Sequence, residues 1–552
     1  MSKRSALDFL SLLSGVNTNV KPQSKRRFIP DSIPEGKPQE AIIEINVNLP
    51  EFEMKGETID QNEWYNGEKH DFISQKPEFQ SYKFGDMIAL STSSCVPEKV
   101  RKLNSLMSES EYAKDTTLDP ISPLIFDYKD VFCAINDDNV SRMRKISSLH
   151  VLNHIMNDLH IKNSRPAGSQ IRDSGFTATN CLIICPTRHQ AYKFVKEMFN
   201  FLPSEFTVEQ EERFEAEYFV EVPKGVARNR PADWLEIFGG NNDQQFKTGI
   251  RFFSNKVSLC QSMAKSQLVI ASPLAIMLHD DKSFLSSIEV LVLDSIETLI
   301  IQHPTRLSEV ISAINLNPLT VQETDWSRLR TYYSDKQHQK MRQNIAYSTI
   351  LTPDINSLFL GLPNIRGSLM LKPAIYQQIL DSDVERQYKR LVVPQINQIG
   401  DVYFKAFKEK LLPQIKVWRS QKGDNNRTLI VFSSSYQFYR ARKLLEDSGI
   451  IFYELADEAT EKDSKEMRKS FKIDPNGIMI ITERYYYHFR PKFVTANKVV
   501  FFQPPTFPQL TVSLASNTQS ITYFTEYDKM ALERIVGTEM CERLIIDGVY
   551  QV

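Results

Sequence analysis

The sequence predicts an α/β protein built from two parallel-sheet lobes in tandem. Three observations predict it: short, wholly apolar runs, an amphipathic stretch after most of them, and a repeat of that alternation in two blocks, about 166–365 and 426–552. Strands covered on both faces need apolar residues at every position, and parallel neighbours need a crossover helix.

Residues 1–60 mix Ser, Pro, Lys and Glu with little periodicity and are expected to be disordered, with Phe9-Leu10 and Leu12-Leu13 as a patch able to dock when folded. Lys25, Arg26 and Arg27 have the composition of a nuclear import patch, or of a solvated face. Residues 61–165 are expected to form an irregular and helical extension; Met143, Ile146, Leu149, Leu152 and Ile155 fall near one helix face.

In the first block, "NCLIICP" predicts a strand and "RHQAYKFVKEMFNF" the helix after it. A charged insertion with seven glutamates follows; then "KSQLVIAS" and "IEVLVLDS" predict two more strands, and "LTVQ" a fourth. Residues 366–425 bridge the blocks with an amphipathic helix carrying Phe404, Phe407 and Leu411 on one side. The second block predicts strands at "RTLIVF", "IIFYEL", "GIMIITE", "NKVVFF" and "QSITYF", separated by helices. The whole is two RecA-like lobes of helicase type behind a tail and an extension.

Composition narrows the function classes. Lys plus Arg (67) nearly equals Asp plus Glu (68), so total charge gives no nucleic-acid signal. The six cysteines form no pair of pairs, which argues against a zinc ribbon, and Cys181 and Cys185 are expected to be inert core thiols. The start lacks a secretory signal pattern and no run reaches membrane-spanning length, so an intracellular, reducing compartment without membrane contact is expected.

A helicase core that burns ATP needs a Gly-Lys-Ser/Thr phosphate loop, an Asp-Glu pair after a strand, and arginines in the second lobe. Here no such loop precedes Pro186, Asp294 is followed by Ser295, and 505–525 holds no arginine. Glu297 is displaced along the helix start and is expected to point elsewhere. The three deficits together predict no catalytic residue, no cofactor and no metal site.

"DSGFTATNCLIICPTRHQAYKFVKEM", "WLEIFGGNNDQQFKTGIRF", "SQLVIASPLAIML", "FLSSIEVLVLDSIETLIIQHP", "TDWSRLRTYY", "TPDINSLF" and "NIRGSL" succeed one another in the first block. "LIVFSSSYQFYRARKLL", "ITERYYYHFRPKFVTANKVVFF" and "YDKMALERIVGTE" follow in the second. In this order, over about 110–545, they resemble the digestive-organ expansion factor family, helicase-like components of the small-subunit processome. The resemblance implies a nucleolar, non-catalytic role in early pre-ribosomal RNA processing, with pre-ribosomal RNA, a small nucleolar ribonucleoprotein particle and other processome proteins as partners. The chain departs from the family in lacking a long acidic run and in having Phe489-Arg490-Pro491 after His488.

Candidate contact residues come from loops after strands and from basic-aromatic segments. Thr187 and Arg188 suit an RNA phosphate, although Arg188 also suits pairing with the acidic insertion. Ser272, before Pro273, serves a track or caps a helix; Ser433 and Ser434 donate to phosphates or cap the helix near Tyr436. Arg328 and Arg330 beside Trp326, and Arg484, Tyr486 and Arg490 around His488, suit stacking on RNA and protein anchoring alike. The competing readings are an RNA-dependent ATPase with an irregular phosphate site and an adaptor that touches protein only.

Overall fold

The structure, a computed structural model, describes residues 79–92 and 103–551, with short interruptions at 109, 135–139, 167–168, 170, 319–323, 363, 381–383, 422–425, 494 and 548. The expected tail, its apolar and basic patches, Cys95 and the "LTVQ" strand lie outside the described residues.

The first sheet contains, in chain order, β1 Phe79–Phe84, β2 Met87–Thr92, β3 Asp130–Ala134, β4 Cys181–Ile184, β5 Thr207–Glu209, β6 Lys247–Phe252, β7 Lys256–Gln261, β8 Leu268–Ala271, β9 Val290–Leu293, β10 Gln343–Ser348 and β11 Ser368–Pro373. Their spatial order is β1-β2-β11-β3-β10-β9-β4-β8-β6-β7-β5. The six from β11 to β8 run parallel. β2 and β6 flank them antiparallel. The stretch 61–165 thus supplies three strands as well as helices.

The second sheet contains β12 Arg386–Arg390, β13 Thr428–Phe432, β14 Tyr453–Leu455, β15 Ile478–Thr482, β16 Lys498–Phe501, β17 Gln519–Phe524 and β18 Val549–Gln551. Their order is β14-β15-β13-β16-β17-β12-β18, parallel except for the last pair.

Alternation within each strand divides its side chains between two cores. Cys181 and Ile183 enter one core of the first lobe, Leu182 and Ile184 the other. Leu429 and Val431 likewise oppose Ile430 and Phe432 in the second lobe. Each fully covered Leu, Ile, Val or Phe stabilises the fold by about 1.5–3 kcal/mol.

Helix α1, Val140–Asn163, follows β3 and is buried on nearly every side. Met107, Ala113, Ile121 and Phe126 of the segment before β3 share its core cluster. The bridging helix runs from Ile399 to Ser420 with a π turn at Phe407–Leu411, just before Pro413, whose missing N–H breaks the regular ladder. Phe407 and Leu411 are buried as expected, while Phe404 lies half-exposed with the Arg440 guanidinium 3.9 Å above its ring. Among the described residues no helix is long and apolar enough to cross a membrane.

Candidate functional site at the seam between the lobes

The strand–turn–helix unit that carries a phosphate loop in an NTP-hydrolysing lobe is β3, residues 135–139 and α1. Residues 135–139 lie outside the described residues, but their sequence is Ile135-Asn136-Asp137-Asp138-Asn139. It has no glycine to let backbone amides wrap an anion, no lysine to neutralise one, and two carboxylates that repel it.

Asp294, at the carboxyl end of β9, is fully buried. Arg144 of α1 donates from Nε to its Oδ2 at 3.0 Å and from Nη2 to its Oδ1 at 3.5 Å, and the Ser295 hydroxyl donates to Oδ1 at 2.8 Å. The same guanidinium reaches Glu236 Oε1 at 3.2 Å and bonds to Gln190 Oε1. Burial opposes the charge on Arg144, yet Asp294, Tyr347 and Glu236 hold its pKa above the ordinary arginine value. An internal cation therefore sits where a carboxylate-bound magnesium would, and the residues present do not fit the metal. Among the described residues no group of three His, Cys, Asp or Glu converges on a metal position.

Glu297 begins the first turn of α5, Ile296–Gln302, after Ser295, whose φ of 53° is left-handed. Its carboxyl is buried and pushed up to about 7 by that burial, and it accepts from the Thr349 hydroxyl at 3.2 Å. The residue is 4% exposed and borders the cleft.

The cleft between the lobes is filled by two short helices, α3, Ala232–Phe238, from the first lobe and α8, Glu483–Phe489, from the second. Ile237, Phe238 and Ile350 of the first lobe join Leu429, Tyr485, Tyr487, Phe501 and Phe507 of the second in one apolar cluster. The rings of Phe238 and Tyr487 meet edge to face at 5.7 Å. Polar links border the cluster. Thr298 Oγ1 and the Tyr487 hydroxyl are 2.7 Å apart, the Trp234 indole N–H donates to the His488 carbonyl at 2.8 Å, and Arg490 pairs with Asp233 at 2.5 Å. Arg230 donates to the carbonyls of Phe489 and, at 2.9 Å, Arg490. Arg534 of the second lobe, buried, donates to the Leu351 carbonyl of the first at 2.5 Å. The void left among Asp233, Glu236, Glu297 and Tyr487 is ≈ 20 Å³. That is about one water, far below the roughly 300 Å³ of a small ligand site.

The sequence-chosen residues have the following places. Thr187 is buried at the N-cap of α2, Arg188–Phe199, accepting from the Gln190 N–H and donating to the Ile237 carbonyl, both at 3.3 Å. Arg188 pairs with Asp243 at 2.9 Å and donates to the carbonyls of Glu217, in the acidic insertion, and Gln245. Ser272 is buried at the N-cap of α4, Pro273–Met277, and its hydroxyl donates to the Gln244 carbonyl. Ser433 donates to the Pro504 carbonyl at 3.3 Å, and Ser434 starts α7, Ser435–Asp447, without a side-chain cap bond. Arg484 is half-exposed, donating to the Gln302 carbonyl across the seam and standing 3.5 Å from Asp457.

Tyr486 is interior, 3% exposed and stacked on Phe493 rather than offered to a base. Arg490 is interior as well, in a left-handed conformation with φ 41°. Arg328 makes two 2.8 Å bonds to Asp173, and Arg330 pairs with Glu289 and Asp158. Glu289 precedes β9, so this second group lies at the amino ends of the strands, on the edge opposite Thr187, Ser272 and Asp294.

Sequence reasoning missed Arg144, Arg230, Arg534 and the filling role of α3. The signal for α3 was Trp234, Ile237 and Phe238 directly before Gly239-Gly240. Those glycines seat the following loop on the start of α2. The His189 N–H donates to the Asn241 carbonyl at 2.9 Å, and a Cβ at Gly240 would meet His189 Nδ1 at 2.3 Å.

A family model described as "UTP25, NTP hydrolase-like domain" matches residues 128–369, and one described as "Utp25, C-terminal domain" matches 377–551. The U3 small nucleolar RNA-associated protein 25 of Schizosaccharomyces pombe is 28% identical over 472 residues, covering 80% of this chain and 71% of its own. The protein of the same name from Schizosaccharomyces japonicus is 27% identical over 475 residues, covering 80% and 73%. Among solved structures, a DEAD box protein from Methanococcus jannaschii aligns at 11% identity and TM-score 0.26, over 81% of this chain and 96% of that one. The RNA helicase Prp28 from Chaetomium thermophilum, bound to ADP, aligns at 12% identity and TM-score 0.25, over 83% and 91%. The digestive-organ expansion factor family and the UTP25 family are one, and the chain belongs to it.

Proposed function

We propose that the chain is a non-catalytic scaffold of small ribosomal subunit assembly, in which two lobes of helicase type are fixed in one arrangement and join pre-ribosomal RNA to processome proteins. The name shared by the curated relatives, U3 small nucleolar RNA-associated protein 25, supports association with that small nucleolar ribonucleoprotein particle and a nucleolar, hence nuclear, location. The observation that carries the non-catalytic reading is the Arg144–Asp294 pair beneath Ile237 and Phe238. With an internal cation on the carboxylate and side chains of both lobes in the cleft, Asp294 is not free to hold the metal of a triphosphate. The test is ATP turnover by the purified chain with and without RNA. The reading expects none above background; RNA-stimulated turnover that Asp294→Asn abolishes would overturn it in favour of an irregular ATPase.

A second reading, an adaptor that touches protein only, is supported by the engagement of Arg188, Arg328, Arg330 and Arg490 within the fold. In-cell RNA crosslinking of tagged wild type and an Arg188→Ala, Arg484→Ala variant separates the two. Crosslinks to small-subunit precursor RNA that vanish while co-purifying proteins remain support the RNA-joining scaffold. No crosslinks in the wild type, with partners retained, support the adaptor.

A further inference from the structure

Most cations on the carboxyl-end edge of the first sheet are neutralised from within, but a few are not. Lys247 pairs in register with Ala271, next to Ser272, and its ammonium is exposed, 2.9 Å from His279 Nδ1 and without a carboxylate partner among the described residues. Further along, α6, Pro304–Ala313, begins at His303. Arg306 sits in its first turn, half-exposed, and among the described residues its guanidinium pairs with no carboxylate. His303, Arg306, Gln302 and Ser272 line one shallow depression. Arg484 enters from the second lobe, bound to the Gln302 carbonyl.

Opposing charges lie beside the row but leave Lys247 and Arg306 without an ion pair among the described residues. Asp280 and Asp281 act on His279, Glu309 acts on His303 from the same helix, and Asp457 pairs with Arg484 at 3.5 Å. The Arg306 backbone N–H donates to His303 Nδ1 at 3.4 Å. Burial, with Arg306 and Arg484 nearby, lowers the pKa of the ring and favours its neutral form, which then carries its proton on Nε2 as a donor. Three cations and one neutral donor therefore follow one edge and cross from lobe to lobe.

We propose that Lys247, His303, Arg306 and Arg484 form a row that binds successive phosphates of single-stranded RNA across the seam, separate from the sequence-chosen Arg188. This rests on the RNA-joining scaffold reading. Spaced cations on a loop edge neutralise a phosphate backbone without reading its bases. Lys247 and Arg306 can do so directly, whereas Arg188 on Asp243 at 2.9 Å and, less tightly, Arg484 on Asp457 at 3.5 Å must first loosen a partner.

The test is fluorescence anisotropy of the full chain with a labelled oligouridylate of roughly twelve nucleotides, repeated over a range of salt. Lys247→Gln with Arg306→Gln removes two cations that hold no ion pair in the fold. The expected result is a loss of affinity of about tenfold or more and a salt slope shallower by about 1.4, or 0.7 per lost phosphate contact. Arg172→Gln with Lys224→Gln, exposed cations elsewhere, is expected to change neither. Unchanged binding in the first variant, or equal losses in both, overturns the row while leaving the RNA reading intact. Wild type that fails to bind at about 100 µM, the weak end of non-specific affinity, overturns both.

Discussion

Two neighbouring regions at the seam, separated by α5, handle charge in opposite ways. On the inner side Arg144, Asp294 and Glu236 are buried and mutually neutralised, and Ile237 and Phe238 close the space above them. On the outer side Arg306 is half-exposed and pairs with no carboxylate among the described residues, and Arg484 is half-exposed with Asp457 at 3.5 Å. The contrast is between charge closed off and neutralised inside the cleft and charge left at its polar edge. Occupation of the inner side also gives the lobes a reason to stay together, because the cluster that fills the cleft is built from both.

The comparison breaks most readily on its inner side. Arg144→Met leaves Asp294 buried without its cation and is expected to cost about 3–5 kcal/mol in urea unfolding. Adding Asp294→Leu to that variant should recover most of the loss, since two apolar groups replace two charges. Phe238→Ala opens a cavity in the shared cluster and should cost about 3 kcal/mol, with faster hydrogen exchange at both Ile350 and Tyr487. Exchange rising on one lobe only would mean that the lobes do not open together.

A smaller effect comes from pH. Burial pushes the Glu297 and Glu483 carboxyls up to about 7, above their unfolded value near 4.5. A raised folded pKa means that the native state holds the proton more tightly, so the stabilisation is complete below about 4.5 and is lost as pH rises to about 7. Glu297→Gln should therefore flatten the fall in stability over that window by on the order of 1 kcal/mol per pH unit relative to wild type. Equal slopes in the two proteins would contradict the burial of this carboxyl. The smallest expected change is Tyr487→Phe, which removes the bond to Thr298 and should cost about 1 kcal/mol.

The sequence made the parallel strands readable because β4, β8, β9, β13 and β15 are continuous apolar runs that each end in a polar loop. β3 escaped notice because "DVFCA" opens on Asp130, a charged residue in a short run. Its carboxyl is tolerated only because the Asn344 and Asn364 side chains, distant in sequence, donate to it at 2.8 and 2.7 Å. The absence of a glycine-lysine loop was legible without β3, but what replaced the loop required locating the strand. Arg144 was hidden for a related reason. A cation one residue from Met143 reads as solvent-facing until α2, α3 and β9 close around it. Thr187 and Ser272 were rightly seen as residues after strands, yet their hydroxyls cap helices and bind carbonyls, and a sequence does not separate capping from phosphate contact. Tyr486 and Arg490 sat in a basic-aromatic segment whose burial depends on the packing of the whole seam, including Asp233, 257 residues away, which pairs with Arg490.

The most direct test of the central claim, that the lobes are fixed by what fills the cleft, is a spin-label distance across the seam. Labels at Leu278→Cys and Ile451→Cys, both exposed, report the two lobes in a chain whose Cys95 and Cys260 are serine. The account predicts one narrow distance that ATP, magnesium and RNA together leave unchanged. A second distance, or a shift on adding nucleotide, would mean that the cleft opens and would contradict it.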